Sequence, residues 1–226
     1  MLKAKKKITK RELKEDKFVT FTFKARDWIE ENAKTLIYGG IALLVLIVLI
    51  SFYTRSKQNA NIQANAMLGE AQLAMSQNDS DKAERLLLKL VEDYSGVTAA
   101  GQGCYVLAKL YWEKEEFAKA ETYFQKYIDD YADDELLTAS ALAGLADCYL
   151  HKQDVKGAAE LYERAAKVNK DLPLTPSFLY SAARAYMESE DSAKAASLAK
   201  EIIKNYEKSD YKNKAELLLN MLQFKG

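Results

Sequence analysis

The chain repeats itself about every 37 residues, and nothing else in its 226 residues restricts the fold as severely. Four segments, Met67–Tyr94, Cys104–Tyr131, Leu142–Asn169 and Leu179–Tyr206, share one pattern. Each reads as an apolar-periodic helix, a short polar turn with Asp or Glu, an alanine, and a second periodic helix. Aligned on that alanine, Ala83, Ala120, Ala158 and Ala195 fall in register with gaps of 37, 38 and 37 residues. One helical hairpin cannot bury its apolar face alone, so four in succession imply a stack. Only two prolines and nine glycines are present, too few for a chain of tight β-turns. The reading is all-α.

The segments resemble the tetratricopeptide repeat, whose signature runs from a large residue through Leu-Gly or Leu-Ala and Tyr to a turn, Ala, an aromatic and Ala. In the second segment these roles fall on Cys104, Leu107, Ala108, Tyr111, Phe117, Ala120 and Phe124. In the third they fall on Leu142, Leu145, Ala146, Tyr149, Ala158, Tyr162 and Ala165, and in the first on Met67, Ala71, Ala74, Ala83, Leu87 and Leu90. No segment ends in the family's common proline, and each is about three residues longer than the usual repeat, with additions such as Glu92-Asp93-Tyr94-Ser95. The resemblance implies a right-handed superhelix of about four hairpins. Tyr211 to Phe224 is then a ninth amphipathic helix that caps the exposed end, with Ala215, Leu218, Leu219 and Leu222 on one side.

A different constraint acts upstream. No residue between Lys34 and Arg55 is charged, and Leu36 to Tyr53 is almost wholly apolar. As a helix these 18 residues reach about 27 Å, close to the ~30 Å hydrocarbon layer. Their Leu, Ile and Val side chains favour insertion by roughly 5 kcal/mol. Trp28, Tyr38 and Tyr53 fall where the interfaces would be. A buried core helix would show a polar face, and a cleavable signal would have a shorter leader than 34 residues, although Ala64-Asn65-Ala66 mimics a cleavage site. The expected organisation is a basic leader over 1–34, a transmembrane helix over 35–54 and a repeat domain over 55–226.

Formal charge is zero overall, but residues 1–34 are net +5 and the remainder net −5. An acidic body excludes a nucleic-acid binder. The basic leader belongs on the cytoplasmic side of a single-pass protein of the bacterial inner membrane, which puts the C-terminal domain in the periplasm. In the leader, Thr9 and Glu12 fit a capping box, and Phe18, Phe21, Ala25 and Trp28 share one helical face suited to the inner headgroups.

No catalytic, cofactor or metal constellation stands out. His151 is the only histidine and falls at a hairpin tip; Cys104 and Cys148 occupy packing positions. The chain reads as a binding protein and not as an enzyme. In the family the first helix of each hairpin lines the concave surface. The resemblance thus implies a peptide-binding face of Tyr105, Lys109 and Trp112, then Asp147 and Leu150, then Tyr180, Arg184 and Met187. One anchor plus a repeat body is also similar to the ancillary subunit of the Sec translocon, which implies the channel and periplasmic chaperones as partners. The alternative is a scaffold for outer-membrane assembly, cell-wall or cell-division complexes.

Overall fold

Each hairpin turn is made at the same two positions in the same conformations. At the tips, Asn78, Glu115, Gln153 and Glu190 hold φ of 59°, 62°, 63° and 67°, the left-handed region. The next residue, Asp79, Glu116, Asp154 or Asp191, sends its N–H back to Ala74, Tyr111, Tyr149 or Tyr186 over 2.8–3.0 Å, closing the first helix. Three of these acids also start the second helix. Asp79, Asp154 and Asp191 accept from the N–H of Lys82, Gly157 and Lys194. Two residues thus end one helix and begin the next.

The computed structural model describes residues 10–223. The capping box at Thr9 and the side chains of Glu12, Phe18 and Phe224 lie outside the described residues. Ten helices follow in order: α1 Lys10–Glu31, α2 Ala33–Ser76, α3 Ser80–Asp93, α4 Thr98–Glu113, α5 Phe117–Asp130, α6 Glu135–His151, α7 Val155–Val168, α8 Thr175–Glu188, α9 Ser192–Asn205 and α10 Tyr211–Gln223. Among the described residues there is no strand. The chain divides into two compact units between Ser56 and Lys57.

In the first unit, α1 carries an Arg26–Glu30 ion pair one turn apart at 2.8 Å. Phe21 and Trp28 are exposed on the expected face and Ile29 joins them, but Val19 and Phe23 fall about 100–140° away from Phe18. The apolar run of α2 from Leu36 to Tyr53 is exposed throughout, and it is long and apolar enough to cross a membrane. No glycine or proline lies between Ser51 and Leu68, so nothing in the sequence stops this helix before the first repeat.

In the second unit, the stretch of α2 up to Ser76 leads into α3 and buries Ala64, Leu68, Ala71 and Ala74 in the core; α4 then pairs with α5, α6 with α7 and α8 with α9. Each helix from α3 onward packs on the next, and α10 closes the series against α9 and α8. Alanines make this possible. Ala83, Ala120, Ala158 and Ala195 are fully buried, as are Ala71, Ala108, Ala146 and Ala183, each twelve residues before its partner. Backbones approach at these paired small residues, and Leu87, Tyr111, Phe124, Leu145, Tyr162 and Tyr186 fill the space around them. The capping helix buries Ala215 and Leu218, with Leu219 and Leu222 half-buried against the core.

The added residues after each second helix have a defined task. Eleven residues past the anchor alanine stand Tyr94, Tyr131, Asn169 and Tyr206. Tyr94 donates to Gln63 at 3.1 Å, Tyr131 accepts from the N–H of Gly96 at 3.3 Å, Asn169 donates to Glu135 at 2.5 Å and Tyr206 donates to the carbonyl of Lys170 at 2.9 Å. Each side chain reaches back to the start of its own hairpin and closes it at the base. Successive hairpins are tied by polar contacts. Tyr111 donates to Glu84 at 2.8 Å while Lys114 pairs with the other oxygen at 2.5 Å, and Lys152 pairs with Glu121 in the next step.

Candidate interaction cleft

The first helix of each hairpin carries a column of side chains 15, 11 and 8 residues before the anchor alanine. On α4 these are Tyr105, Lys109 and Trp112; on α6, Ala143, Asp147 and Leu150; on α8, Tyr180, Arg184 and Met187. Helix α4 also packs directly on α6, so columns of neighbouring hairpins face a common space. There a cleft of about 290 Å³ is lined by Tyr105, Lys109, Trp112, Phe124, Ser140, Ala143, Gly144, Asp147 and Phe178.

Its floor depends on a missing side chain. A Cβ at Gly144 would lie 2.4 Å from the Phe124 ring, so glycine lets that ring tuck under the backbone of α6. Tyr105 stands edge-on to Phe124 and Tyr127 with centroids 6.0 and 6.3 Å away. Trp112 is edge-on to Phe117 at 4.7 Å, and the Phe117 ring meets His151 at 3.6 Å. Tyr105 and Trp112 are half-buried. They pack against the stack and still present a face to the opening.

Two charges stand in the cleft. Lys109 is exposed and has no ion-pair partner among the described residues. Asp147 is half-buried and accepts a short hydrogen bond from the Tyr162 hydroxyl. Burial pushes the Asp147 carboxyl above the ordinary carboxylate range, against the opposing pull of the Tyr162 bond. Burial and the adjacent carboxylate together push the Tyr162 hydroxyl up.

Four of the eight sequence-derived positions therefore line this cleft: Tyr105, Lys109, Trp112 and Asp147. Leu150 is exposed at the end of α6, Tyr180 packs on Tyr211 at 5.5 Å, Arg184 is exposed and Met187 is half-buried against the core. None of these four lines it. Ala143 occupies the register position of Tyr105 and could have been found by extending the column. Phe124 projects from a second helix and Phe178 comes from the following hairpin, so the first-helix register does not reach them.

The other reactive groups belong to the core or the rim. Cys104 and Cys148 are free and fully buried, and burial raises both thiols to about 12, which leaves them unreactive at neutral pH. His151 is exposed. Among the described residues no group of three or more His, Cys, Asp or Glu side chains could hold a metal ion.

A profile of the tetratricopeptide repeat-like domain matches residues 26–171, and a second profile, of the tetratricopeptide repeat, matches residues 157–210. The chain belongs to the tetratricopeptide repeat-like family. No curated protein matches its sequence. Solved tetratricopeptide stacks share the fold. One is a tetratricopeptide repeat protein from Parabacteroides merdae (14% identical, TM-score 0.60, 72% of this chain and 60% of that one). Another is BtubC from P. vanneervenii (17%, 0.55, 73% and 66%). A third is YrrB, described as a TPR protein with an unusual peptide-binding site (17%, 0.50, 71% and 74%). The tetratricopeptide fold makes this chain a repeat scaffold of the kind used for protein–protein interaction.

Proposed function

We propose that this tetratricopeptide chain is a membrane-anchored adaptor that grips an extended or helical segment of a partner protein in the cleft between α4 and α6. The observation that carries the reading is the convergence of Tyr105, Lys109, Trp112 and Asp147 on one opening floored by Phe124. Aromatic edges offer apolar area, while one cation and one carboxylate at equivalent register positions fix the orientation of a polar backbone. Arg184 continues that column, so its charges run plus, minus, plus from α4 to α8. The peptide site described for YrrB supports a peptide as occupant.

In this reading the exposed apolar length of α2 is the anchor. The net +5 leader stays in the cytoplasm and the repeats lie in the periplasm. The tetratricopeptide profile match begins at residue 26, ahead of the apolar run, so one matched unit takes in both anchor and repeats. That combination supports a place beside the Sec translocon, where the cleft would hold periplasmic chaperones or clients emerging from the channel.

Photoreactive residues at positions 105 and 112 of the full-length protein in living cells test the reading. Adducts with channel subunits or periplasmic chaperones are expected. Adducts confined to outer-membrane assembly factors or cell-wall enzymes would replace the translocon assignment, and an absence of protein adducts from both positions would end the cleft reading.

A further inference from the structure

The outward face of the first hairpin has the chemistry of an interior. In the other three hairpins, one face of the first helix lies under the second helix of the hairpin before it. On that face, 17 and 10 residues before the anchor alanine, stand Gly103 and Leu110, Ala141 and Cys148, and Phe178 and Ala185, all buried. In the first hairpin the same two positions are Ala66 and Leu73, and both are exposed. Leu73 is 58% exposed, and Ile62 on the same stripe is 67% exposed.

Glycines report what such a face receives. A Cβ on Gly103 would lie 2.7 Å from Leu90 of α3, and one on Gly144 would lie 2.4 Å from Phe124 of α5. In each case a large side chain from the preceding hairpin descends onto the glycine. Gly69 stands fourteen residues before its alanine, as Gly144 does, yet among the described residues nothing lies within 4 Å of its Cβ position. Glycine inside a helix weakens it, and no contact among the described residues accounts for the choice here.

We propose that Ile62, Ala66, Gly69 and Leu73 form a docking face for an amphipathic helix of a partner protein. That helix carries two large apolar side chains three residues apart, as α3 does with Leu87 and Leu90 and α5 with Phe124 and Tyr127. The face extends the series of interfaces α3–α4, α5–α6 and α7–α8 by one step at the open end of the stack. A second copy is the weaker occupant: Leu87, Leu90, Phe124, Tyr127, Tyr162 and Ile202 are already buried in their own stack, and the exposed Leu217 and Met221 of α10 stand four residues apart and not three. The inference rests on the repeat architecture and not on the cleft, so loss of cleft binding leaves it standing.

The test uses the full-length protein in nanodiscs and, as probe, a labelled peptide with this chain's own sequence from Glu116 to Tyr131. Saturable binding is expected, weakened about tenfold or more by Gly69→Phe in the protein or Phe124→Ala in the peptide. Helix content of the Gly69→Phe protein should be unchanged, because its side chain enters open space. A photoreactive residue at position 73 should link to the peptide. No saturable binding, binding indifferent to Gly69→Phe, or position 73 linking in the purified protein to its own α1 or to a second copy would each overturn the proposal.

Discussion

Glu115, Gln153 and Glu190 sit in a backbone conformation that L-residues resist, at turns where Gly or Asn is the usual choice. None of the three is buried, so replacing Glu115 with glycine removes strain without losing packing. Net of the entropy that glycine loses on folding, the full-length protein should gain about 0.5–1 kcal/mol, read as a rise of roughly 2–4 °C in Tm. Two other glycines should respond to alanine with opposite signs. Gly144→Ala drives a methyl into Phe124 and is expected to cost about 1–3 kcal/mol, whereas Gly69→Ala meets open space and should stabilise by roughly 1 kcal/mol. Thermal melts of both variants check the pair. Asp147 adds a pH dependence. Its raised carboxyl binds a proton more tightly in the folded chain than in the unfolded one, so its stabilising effect is complete below about pH 3.9. That effect is lost as pH rises through the folded value. Asp147→Asn keeps an acceptor for Tyr162. Denaturant titrations should find it equal to wild type below that pH and more stable near pH 7.

At the scale of helices, the joints between hairpins carry a specific polar code. Bonds from Lys114 and Tyr111 outweigh burial and hold the Glu84 carboxyl below its ordinary range. Stability from this site is therefore present above the unfolded pKa and lost as pH falls through the lowered one. A double-mutant cycle over Tyr111→Phe and Glu84→Gln should return a coupling of about 1 kcal/mol at pH 7. The hairpins themselves were legible because alanine spacing and helical periodicity are properties of short windows. Turn geometry was legible only as polar residues, since αL backbone at Glu115 or Gln153 leaves no glycine to betray it. The base clamps were visible as extra residues at Tyr94 and Tyr131, but their partners lie a full repeat away and depend on how the hairpin closes. Half of the expected concave set lines the cleft for the same reason. Register brings Tyr105, Lys109, Trp112 and Asp147 to one cleft, while Phe124, Gly144 and Phe178 enter through packing between hairpins.

At the scale of the whole molecule, the proposed function puts the apolar run of α2 and the repeat stack in different solvents. Replacing Leu44 and Ile47 together by arginine adds roughly 5–7 kcal/mol to the insertion of that run. Wild-type protein is expected in the membrane pellet after alkaline carbonate washing, and the double variant in the supernatant; wild-type protein in the supernatant would remove the anchor from the proposed function. The base clamps have a mechanical corollary. With Tyr94, Tyr131, Asn169 and Tyr206 each fastening only its own loop of chain, a tether pulling on one end of the stack loads the fastenings in series. Stretched between a bead and a surface, the domain should yield as a sawtooth whose steps each release about 37 residues, roughly 12–13 nm of contour.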